Sequence, residues 1–347
     1  MTNGDYFAKL AKMRRDYLGD RYHSALQRLR NHDALPLIPV AREQQAVLEA
    51  QIMAELCSGG RWWAHPFGIA KVDVTFSNSA ILTLDSHHVS ARENNEHKQY
   101  PASEYAAGRL LPSAEEGMQV HGPLGLRVAR IEDKDLTLRH ADSREAQVIL
   151  RACPGTHWQQ HIDERLEDTR KAGFRPLWRE RSMTKHELSD QQQFPMVWEE
   201  KQGLAWIGSG LLRRIALFHT SSTAHSVSSW ITGYEWIVEL TTIRGLPLEH
   251  DRFLARLTDP TWGLPLRVAS HHCFCEMSRR GPFGWQCTYR LQATGDRKGG
   301  LQLRFQADGF ARKRLHRDAL LKAGADRKWL ERVLPERLIN QAEESDR

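Results

Sequence analysis

Three cysteines and a histidine lie close together in the last third of the sequence. His271, Cys273 and Cys275 occupy alternate positions, and Cys287 follows beyond the loop SRRGPFG. Alternate residues of a strand share one face, so the first three side chains are expected to lie together. If the reversal is symmetric about Gly281, residue 275 pairs with residue 287 and brings in the fourth. Thiolates and imidazole are typical ligands of tetrahedral zinc, so the pattern indicates a metal site.

Packing is the alternative interpretation of the same cysteines. The spacing is Cys-x-Cys rather than the Cys-x-x-Cys of a zinc knuckle, and no second pair follows. Free cysteine is also among the residue types most often buried as a small hydrophobe. The prediction for cofactors is therefore none, with zinc or another divalent metal as the alternative.

Two other groups have spacings that could carry metal chemistry. His157 and His161 share a helix face with Glu164, but the intervening glutamate of a His-Glu-x-x-His zinc site is missing. Glu199 and Lys201 fall in a predicted strand. In metal-dependent nucleases, a carboxylate with this spacing holds a divalent ion and the lysine steadies the attacking water. Both patterns also arise by chance on solvated surfaces.

Basic residues are concentrated near the end of the chain. Residues 309–334 contain eight basic and three acidic residues, a local excess of +5 within a net charge of +6. Such a concentration favours contact with phosphate, although a solvated helix face is the alternative. The residues predicted to bind nucleic acid are Arg312, Lys313, Arg314, Arg317, Lys322 and Lys328, with Arg290 and Arg304 extending the basic surface from neighbouring strands.

The elements that position these residues follow from the spacing of apolar side chains. Helices are predicted over residues 5–30, broken near Gly19, over 40–58, and over 156–173. Hairpins are predicted for KVDVTF with AILTLD and for residues 125–140, followed by the strand AQVILRAC. Residues 85–117 are predicted to form a long polar loop with a short helix near 103–111.

The second half is predicted to be rich in strands. These are VWEEK, LAWIG, LLRRIALFH, SSWITG, YEWIVELTTI, the 270–293 hairpin and LQLRFQA, interrupted by the helix LEHDRFLARLTD. Two helices that meet at Gly324 follow. The predicted fold is therefore α+β, with a mixed domain at 1–185, an antiparallel β-rich domain at 195–339 closed by the helical pair, and a disordered tail at 340–347.

Composition narrows the function further. The sequence of 347 residues is 40% hydrophobic, and no apolar run approaches the roughly 20 residues that span a bilayer. P-loop, Rossmann and nucleophile-elbow motifs are missing from it. We therefore expect a cytoplasmic protein without a membrane partner. The predicted function is a nucleic-acid-binding or assembly component without catalytic activity, which binds DNA or RNA or assembles through its β-rich domain. The alternative is a metal-dependent phosphodiesterase or nuclease that uses Glu199 and Lys201.

Overall fold

The computed structural model describes most of the chain. The described residues are 3–31, 38–57, 61–74, 76–91, 97–115, 120–143, 145–275, 286–308 and 313–345. These ranges contain thirteen helices and four sheets, and helices follow the last sheet at the C-terminus. The α+β prediction is confirmed. Within the same ranges, every helix is too short or too polar to span a bilayer.

The first half combines five helices with one larger and two small sheets. The helices are α1 (Asn3–Leu18), α2 (Tyr22–Asn31), α3 (Glu43–Leu56), α4 (Ala102–Leu110) and α5 (Trp158–Lys171). The strands are β1 (Arg61–Trp62), β2 (Ile69–Asp73), β3 (Ser79–Leu84), β4 (His87–Ala91), β5 (His97–Pro101), β6 (Ser113–Ala114), β7 (Val120–His121), β8 (Leu126–Ile131), β9 (Asp135–His140), β10 (Gln147–Arg151) and β11 (Arg175–Pro176). The strand order is β2-β3-β10-β9-β8 in the larger sheet, and β1-β4-β5 and β11-β6-β7 in the small ones.

Both predicted hairpins of this half are confirmed, since β2 pairs antiparallel with β3 and β8 with β9. The break between α1 and α2 falls at Gly19, whose positive φ of 78° suits glycine. The segment 85–117, predicted to be a long loop, also contains the antiparallel pair β4 and β5. These two strands are rich in polar residues, so they lack the alternation of apolar and polar residues by which a half-buried strand is predicted.

The second half begins with helices and continues into a five-stranded sheet. The helices are α6 (Lys185–Gln193), α7 (Pro195–Gly203), α8 (Ala205–Leu212), α9 (Leu217–Thr220), α10 (His250–Leu257), α11 (Lys313–Lys322), α12 (Arg327–Val333) and α13 (Glu336–Ser345). The strands are β12 (Ala224–Thr232), β13 (Glu235–Ile243), β14 (Leu266–His272), β15 (Gln286–Ala293) and β16 (Gly300–Asp308). Their order is β12-β13-β16-β15-β14, and we call this sheet the C-terminal sheet. Only its β13–β16 pairing is parallel.

Three predicted strands between residues 197 and 219 are wrong, because these residues form α7, α8 and α9. Short apolar runs do not distinguish a buried strand from a buried helix. In α8, a Cβ at Gly208 would lie 2.4 Å from the Trp236 ring and 2.9 Å from Ala50 Cβ. The two glycines of α8 therefore serve close helix packing rather than strand turns.

The C-terminal sheet has one apolar and one polar face. Register pairs place Trp236, Leu301 and Leu291 on the buried inner face, with Cys287, Tyr289 and Phe305 further along. The strands predicted over residues 285–293 and 301–307 are confirmed as β15 and β16. We define the outer face by the residues Ser228, Trp230, Glu235, Ile237, Glu239, Gln286, Thr288, Arg290, Gln302, Arg304 and Gln306, which neighbour one another across the strands.

The ends of the second half differ in part from the prediction. The turn at Gly324 between α11 and α12 is confirmed, and the Asp326 side chain caps α12 by accepting from Trp329 N. Residues 340–345, predicted to be disordered, are helical as the end of α13. The boundary between 185 and 195 stays a prediction; α6 occupies much of that polar stretch.

Candidate metal centre

Four side chains with metal-binding atoms converge at one end of the C-terminal sheet. They are His250, Cys273, Cys275 and Cys287, and their ligand atoms all lie within 4.8 Å of one another. Within the described ranges this is the only group of three or more Cys, His, Asp or Glu side chains that could hold a metal ion. We call these four residues the Cys3His cluster.

Different elements supply the members of the Cys3His cluster. Cys273 directly follows β14, and Cys287 is the second residue of β15, where it faces the core. His250 is the first residue of α10, and the residue before it, Glu249, has a left-handed φ of 50°. Residues other than glycine seldom adopt this conformation, which often marks a functional position. Here it aims the start of α10 at the cysteines.

The distances within the cluster are short. His250 Nε2 lies 2.8 Å from Cys275 Sγ and 3.5 Å from Cys273 Sγ. The sulfur atoms lie 3.3 Å apart for Cys273 and Cys275, 3.3 Å for Cys275 and Cys287, and 3.7 Å for Cys273 and Cys287. All three thiols are reduced. The four atoms therefore form a compact group with no other side chain between them.

Neighbouring groups orient the histidine and one of the sulfur atoms. His250 Nδ1 lies 2.8 Å from Asp251 Oδ1 and 3.1 Å from Tyr289 Oη. A proton on Nδ1 donated to the carboxylate leaves Nε2 with its lone pair towards the cysteines. The Phe274 backbone N–H donates to Cys287 Sγ at 3.3 Å. Carboxylate–histidine and N–H···S contacts of this kind commonly surround a metal ligand set.

The thiols do not ionise alike. Burial opposes ionisation of Cys273, but hydrogen bonds from the Cys275 backbone and from neighbouring side chains lower its pKa to about 7. Burial, followed by the contact with Cys273, raises the pKa of Cys275. Burial also raises the pKa of Cys287. One negative charge thus suppresses the formation of others nearby, as expected of adjacent acidic groups without a cation.

The structure replaces one member of the predicted ligand set. His271 pairs with Tyr289 in the β14–β15 ladder and stacks on its ring at 5.5 Å, outside the Cys3His cluster. The predicted register is also displaced: His272 pairs with Thr288, and a register shift lies between Val268 and Ser270. Sequence reasoning missed His250, because it precedes Cys273 by 23 residues and belongs to another element. No local spacing signals it.

The other candidate metal groups do not assemble. His157 precedes α5 and lies 2.7 Å from Asp133, whereas His161 lies 3.3 Å from Glu164. Neither histidine belongs to a metal-binding group among the described residues. Each histidine has a carboxylate neighbour, at the protein surface for His157 and beside a buried ring for His161.

Glu199 and Lys201 lie in α7, not in a strand, and both are exposed. Two residues apart on a helix, they do not face one another. The described part of the chain brings no group of acidic side chains to Glu199. A strand would have placed both side chains on one face. The segment is helical instead, because Pro195 suits the first turn of a helix and the apolar run is too short to distinguish a strand from a helix.

The predicted basic surface of the terminal helices is partly engaged within the protein. Arg314 donates to Asn340 Oδ1, and Arg317 donates to the Leu334 carbonyl at 3.0 Å. Lys322 and Lys328 are exposed. Arg312 lies outside the described residues, as does the side chain of Lys313.

Arg290 and Arg304 both lie on the outer face of the C-terminal sheet. The Arg304 guanidinium lies over the Trp230 ring, 5.3 Å from its centroid, and donates to Gln302 Oε1 at 2.9 Å. Arg290 is exposed, with its Nε 3.7 Å from Glu235. Gln306 donates to Glu239 at 2.8 Å. The outer face is thus polar, with an aromatic ring and two arginines among amide side chains.

Comparison of the chain with protein-family models, with curated proteins and with solved structures finds no match.

Proposed function

We propose that this protein is a nucleic-acid-binding component without catalytic activity of its own, which binds a single strand on the outer face of its C-terminal sheet. The observation that supports this is the combination of Trp230 with Arg290 and Arg304 on a polar sheet face. Proteins that bind single strands stack bases on aromatic rings and contact phosphates through arginine.

The details of the outer face suit an extended strand. Arg304 is held over Trp230 and by Gln302, so little side-chain entropy is lost when its remaining N–H groups bind a phosphate. Side-chain amides of Gln286 and Gln306 lie beside it and can pair with base edges. Glu235 and Glu239 offset part of the positive charge, which favours moderate affinity.

The terminal helices contribute less than their sequence suggests. Arg314 and Arg317 are engaged in internal hydrogen bonds, and α11 and α12 also carry the exposed acidic residues Asp318 and Glu331. Lys322 and Lys328 then act as peripheral phosphate contacts. No arrangement among the described residues supports the nuclease alternative.

Fluorescence anisotropy with labelled single-stranded DNA and RNA tests the proposal. Replacing Arg290 and Arg304 together by Gln should weaken binding roughly tenfold or more at low salt. It should also flatten the dependence of log affinity on log salt by about 1.4, because each single-strand phosphate contact contributes about 0.7.

A charge-matched control removes two positive charges elsewhere. Arg170 and Lys171 at the end of α5 are exposed, and their replacement by Gln should leave the binding curve unchanged. Equal losses in the two double variants would contradict a contact on the outer face. No binding by the parent protein to either nucleic acid at low salt would refute the proposal and favour a protein partner.

A further inference from the structure

We propose that the Cys3His cluster binds one Zn²⁺ through His250 Nε2 and the sulfur atoms of Cys273, Cys275 and Cys287, as a structural site. The proposal rests on the convergence of the four ligand atoms within 4.8 Å. It is independent of the nucleic-acid-binding function.

The observed spacing is close to that of a zinc tetrahedron. Zn–S bonds of about 2.3 Å and a Zn–N bond of about 2.05 Å place neighbouring sulfur atoms about 3.8 Å apart, and nitrogen and sulfur about 3.6 Å apart. The three S···S distances of 3.3, 3.3 and 3.7 Å lie slightly below that value. His250 Nε2 lies 2.8 Å from Cys275 Sγ and 3.5 Å from Cys273 Sγ. Widening the shortest of these contacts by about 0.8 Å makes room for the ion.

The donor set favours zinc over harder cations. Three thiolates and one imidazole are soft or borderline ligands, whereas Mg²⁺ and Ca²⁺ require oxygen. The carboxylate of Asp251 contacts Nδ1 of His250 and so stands behind a ligand. This is the carboxylate–histidine–zinc arrangement that fixes the imidazole tautomer.

Charge explains why a cation belongs in the cluster. Three thiolates within 3.7 Å of one another repel strongly, and Zn²⁺ offsets two of the three negative charges. Each thiol that binds as a thiolate releases its proton to solvent, and the imidazole binds in its neutral form. The complex then carries one negative charge, next to the N–H donated by Phe274 to Cys287.

Four protein ligands leave no position for water or substrate, which is characteristic of structural zinc. Zinc would join the start of α10 to the end of β14 and the start of β15. β14 is an edge strand of the C-terminal sheet. The ion would therefore fix the edge of the sheet against a helix where the strand pairing ends.

The site is tested by elemental analysis of protein that is purified without a chelator and without a metal-affinity column. We expect about one equivalent of zinc per chain. After removal under reducing conditions, one equivalent of Co²⁺ should give the strong visible absorption of a tetrahedral thiolate complex. A chain with far less than one equivalent of metal that shows no such absorption would refute the proposal. One equivalent of iron would refute the assignment to zinc.

Two histidine variants discriminate between the structural and the sequence-based ligand sets. His250→Ala should lose at least tenfold in Co²⁺ affinity, whereas His271→Ala should bind Co²⁺ like the parent. Cys287→Ser should lose affinity, with Cys153→Ser as the matched cysteine control. Loss of binding in His271→Ala with retention in His250→Ala would overturn the assignment.

A rescue variant addresses the case in which His250→Ala does not fold. His250→Cys creates a four-thiolate set at the same position, so it should fold, retain one equivalent of zinc and intensify the sulfur-to-cobalt charge-transfer absorption. A folded His250→Cys protein with the parent absorption spectrum would show that residue 250 is not a ligand.

Discussion

Two buried ion pairs join segments that are far apart in the chain. Arg213 donates to both carboxylate oxygens of Glu49, at 2.7 and 2.8 Å, and Arg127 binds Glu187 in the same bidentate way. Both pairs have almost no exposed side-chain surface. Ser209 also donates to Glu49, so the buried charge is well satisfied. Such pairs constrain how the segments that carry them are arranged and add little net stability.

The first residue-scale prediction concerns the pair of Arg213 and Glu49. Arg213→Met leaves the Glu49 carboxylate buried without its partner and should lower the free energy of unfolding by about 3–5 kcal/mol. The double variant Glu49→Leu/Arg213→Met removes both charges and should recover most of that loss. Urea denaturation followed by circular dichroism measures both values. The exposed pair of Arg151 and Asp135 serves as the control, and Arg151→Met should cost about 1 kcal/mol or less.

Equal stabilities of the single and double Arg213 variants would contradict this account. The unpaired charge would then not be the source of the loss.

The candidate site shows what sequence can predict about single residues. Three of its four members could be predicted, because Cys273, Cys275 and Cys287 are close in sequence and belong to one hairpin. The fourth could not, since His250 reaches the cysteines only through the packing of α10 against the C-terminal sheet. His271 was predicted because it alternates with Cys273 and Cys275 along one strand face, but in the structure its ring stacks on Tyr289.

At the scale of elements, stacked histidine rings attach the terminal helices to the rest of the protein. His219, in α9, stacks between His65 and Trp329 of α12, with centroid distances of 4.8 Å on both sides. Asp85 accepts from the His65 backbone and lies 2.7 Å from its Nδ1. Trp62 of β1 stacks in the same way on His316 of α11, at 3.9 Å. Aromatic contacts of this kind stabilise the docking of the terminal helices.

The stack should make stability depend on pH. Burial, then the nearby charges of His65 and Arg332, lower the pKa of His219 well below 6.5. Its neutral form is therefore favoured in the folded state. The contribution of His219 to the free energy of unfolding is fully present above pH 6.5. It is lost as the pH falls towards the folded-state pKa, because the unfolded state binds the proton first. His88, whose pKa burial lowers to about 4, acts in the same direction.

His65 acts in the opposite direction. Burial opposes its protonation, but Asp85 raises its pKa above 6.5, so its contribution is present below 6.5 and is lost as the pH rises through the folded-state pKa.

His219→Phe is the variant that isolates this effect. Phe keeps the stacked ring but does not titrate, so stability should fall less steeply between pH 6.5 and 5, by at most about 1.4 kcal/mol per pH unit. Urea denaturation at intervals of half a pH unit measures the slope. An unchanged slope in His219→Phe would show that this ring does not titrate on unfolding.

Element prediction succeeded where alternation or helical spacing extended over a whole element. β12, β13, β15 and β16 were predicted from such patterns, as were α3, α5 and α10. Element prediction failed for α7 to α9. Their apolar runs are short, and nearly every residue of α8 is buried. Burial on every side removes the periodicity on which the distinction between helix and strand depends.

At the scale of the whole molecule, one hydrophobic core unites the two halves of the chain. It includes Leu48 and Leu82 from the first half together with Trp236 and Leu303 from the C-terminal sheet. The α+β class was predictable from the order of elements. The shared core was not, because it depends on α8 packing closely against α3 through Gly208. α8 belongs to the second half of the chain but packs against α3 of the first half.

The last prediction follows from this core: the two halves should unfold as a single unit. Separate chains of residues 1–194 and 195–347 would each expose the faces that α3 and α8 bury against one another, and would lose the pair of Glu49 and Arg213. Neither should show a cooperative thermal transition, whereas the intact chain should unfold with coincident changes in far-ultraviolet circular dichroism and tryptophan fluorescence. Mixing the two chains is the control, because association should restore a cooperative transition whose midpoint rises with concentration. A cooperative transition in either chain alone would instead establish an independently folding domain at the boundary between residues 185 and 195.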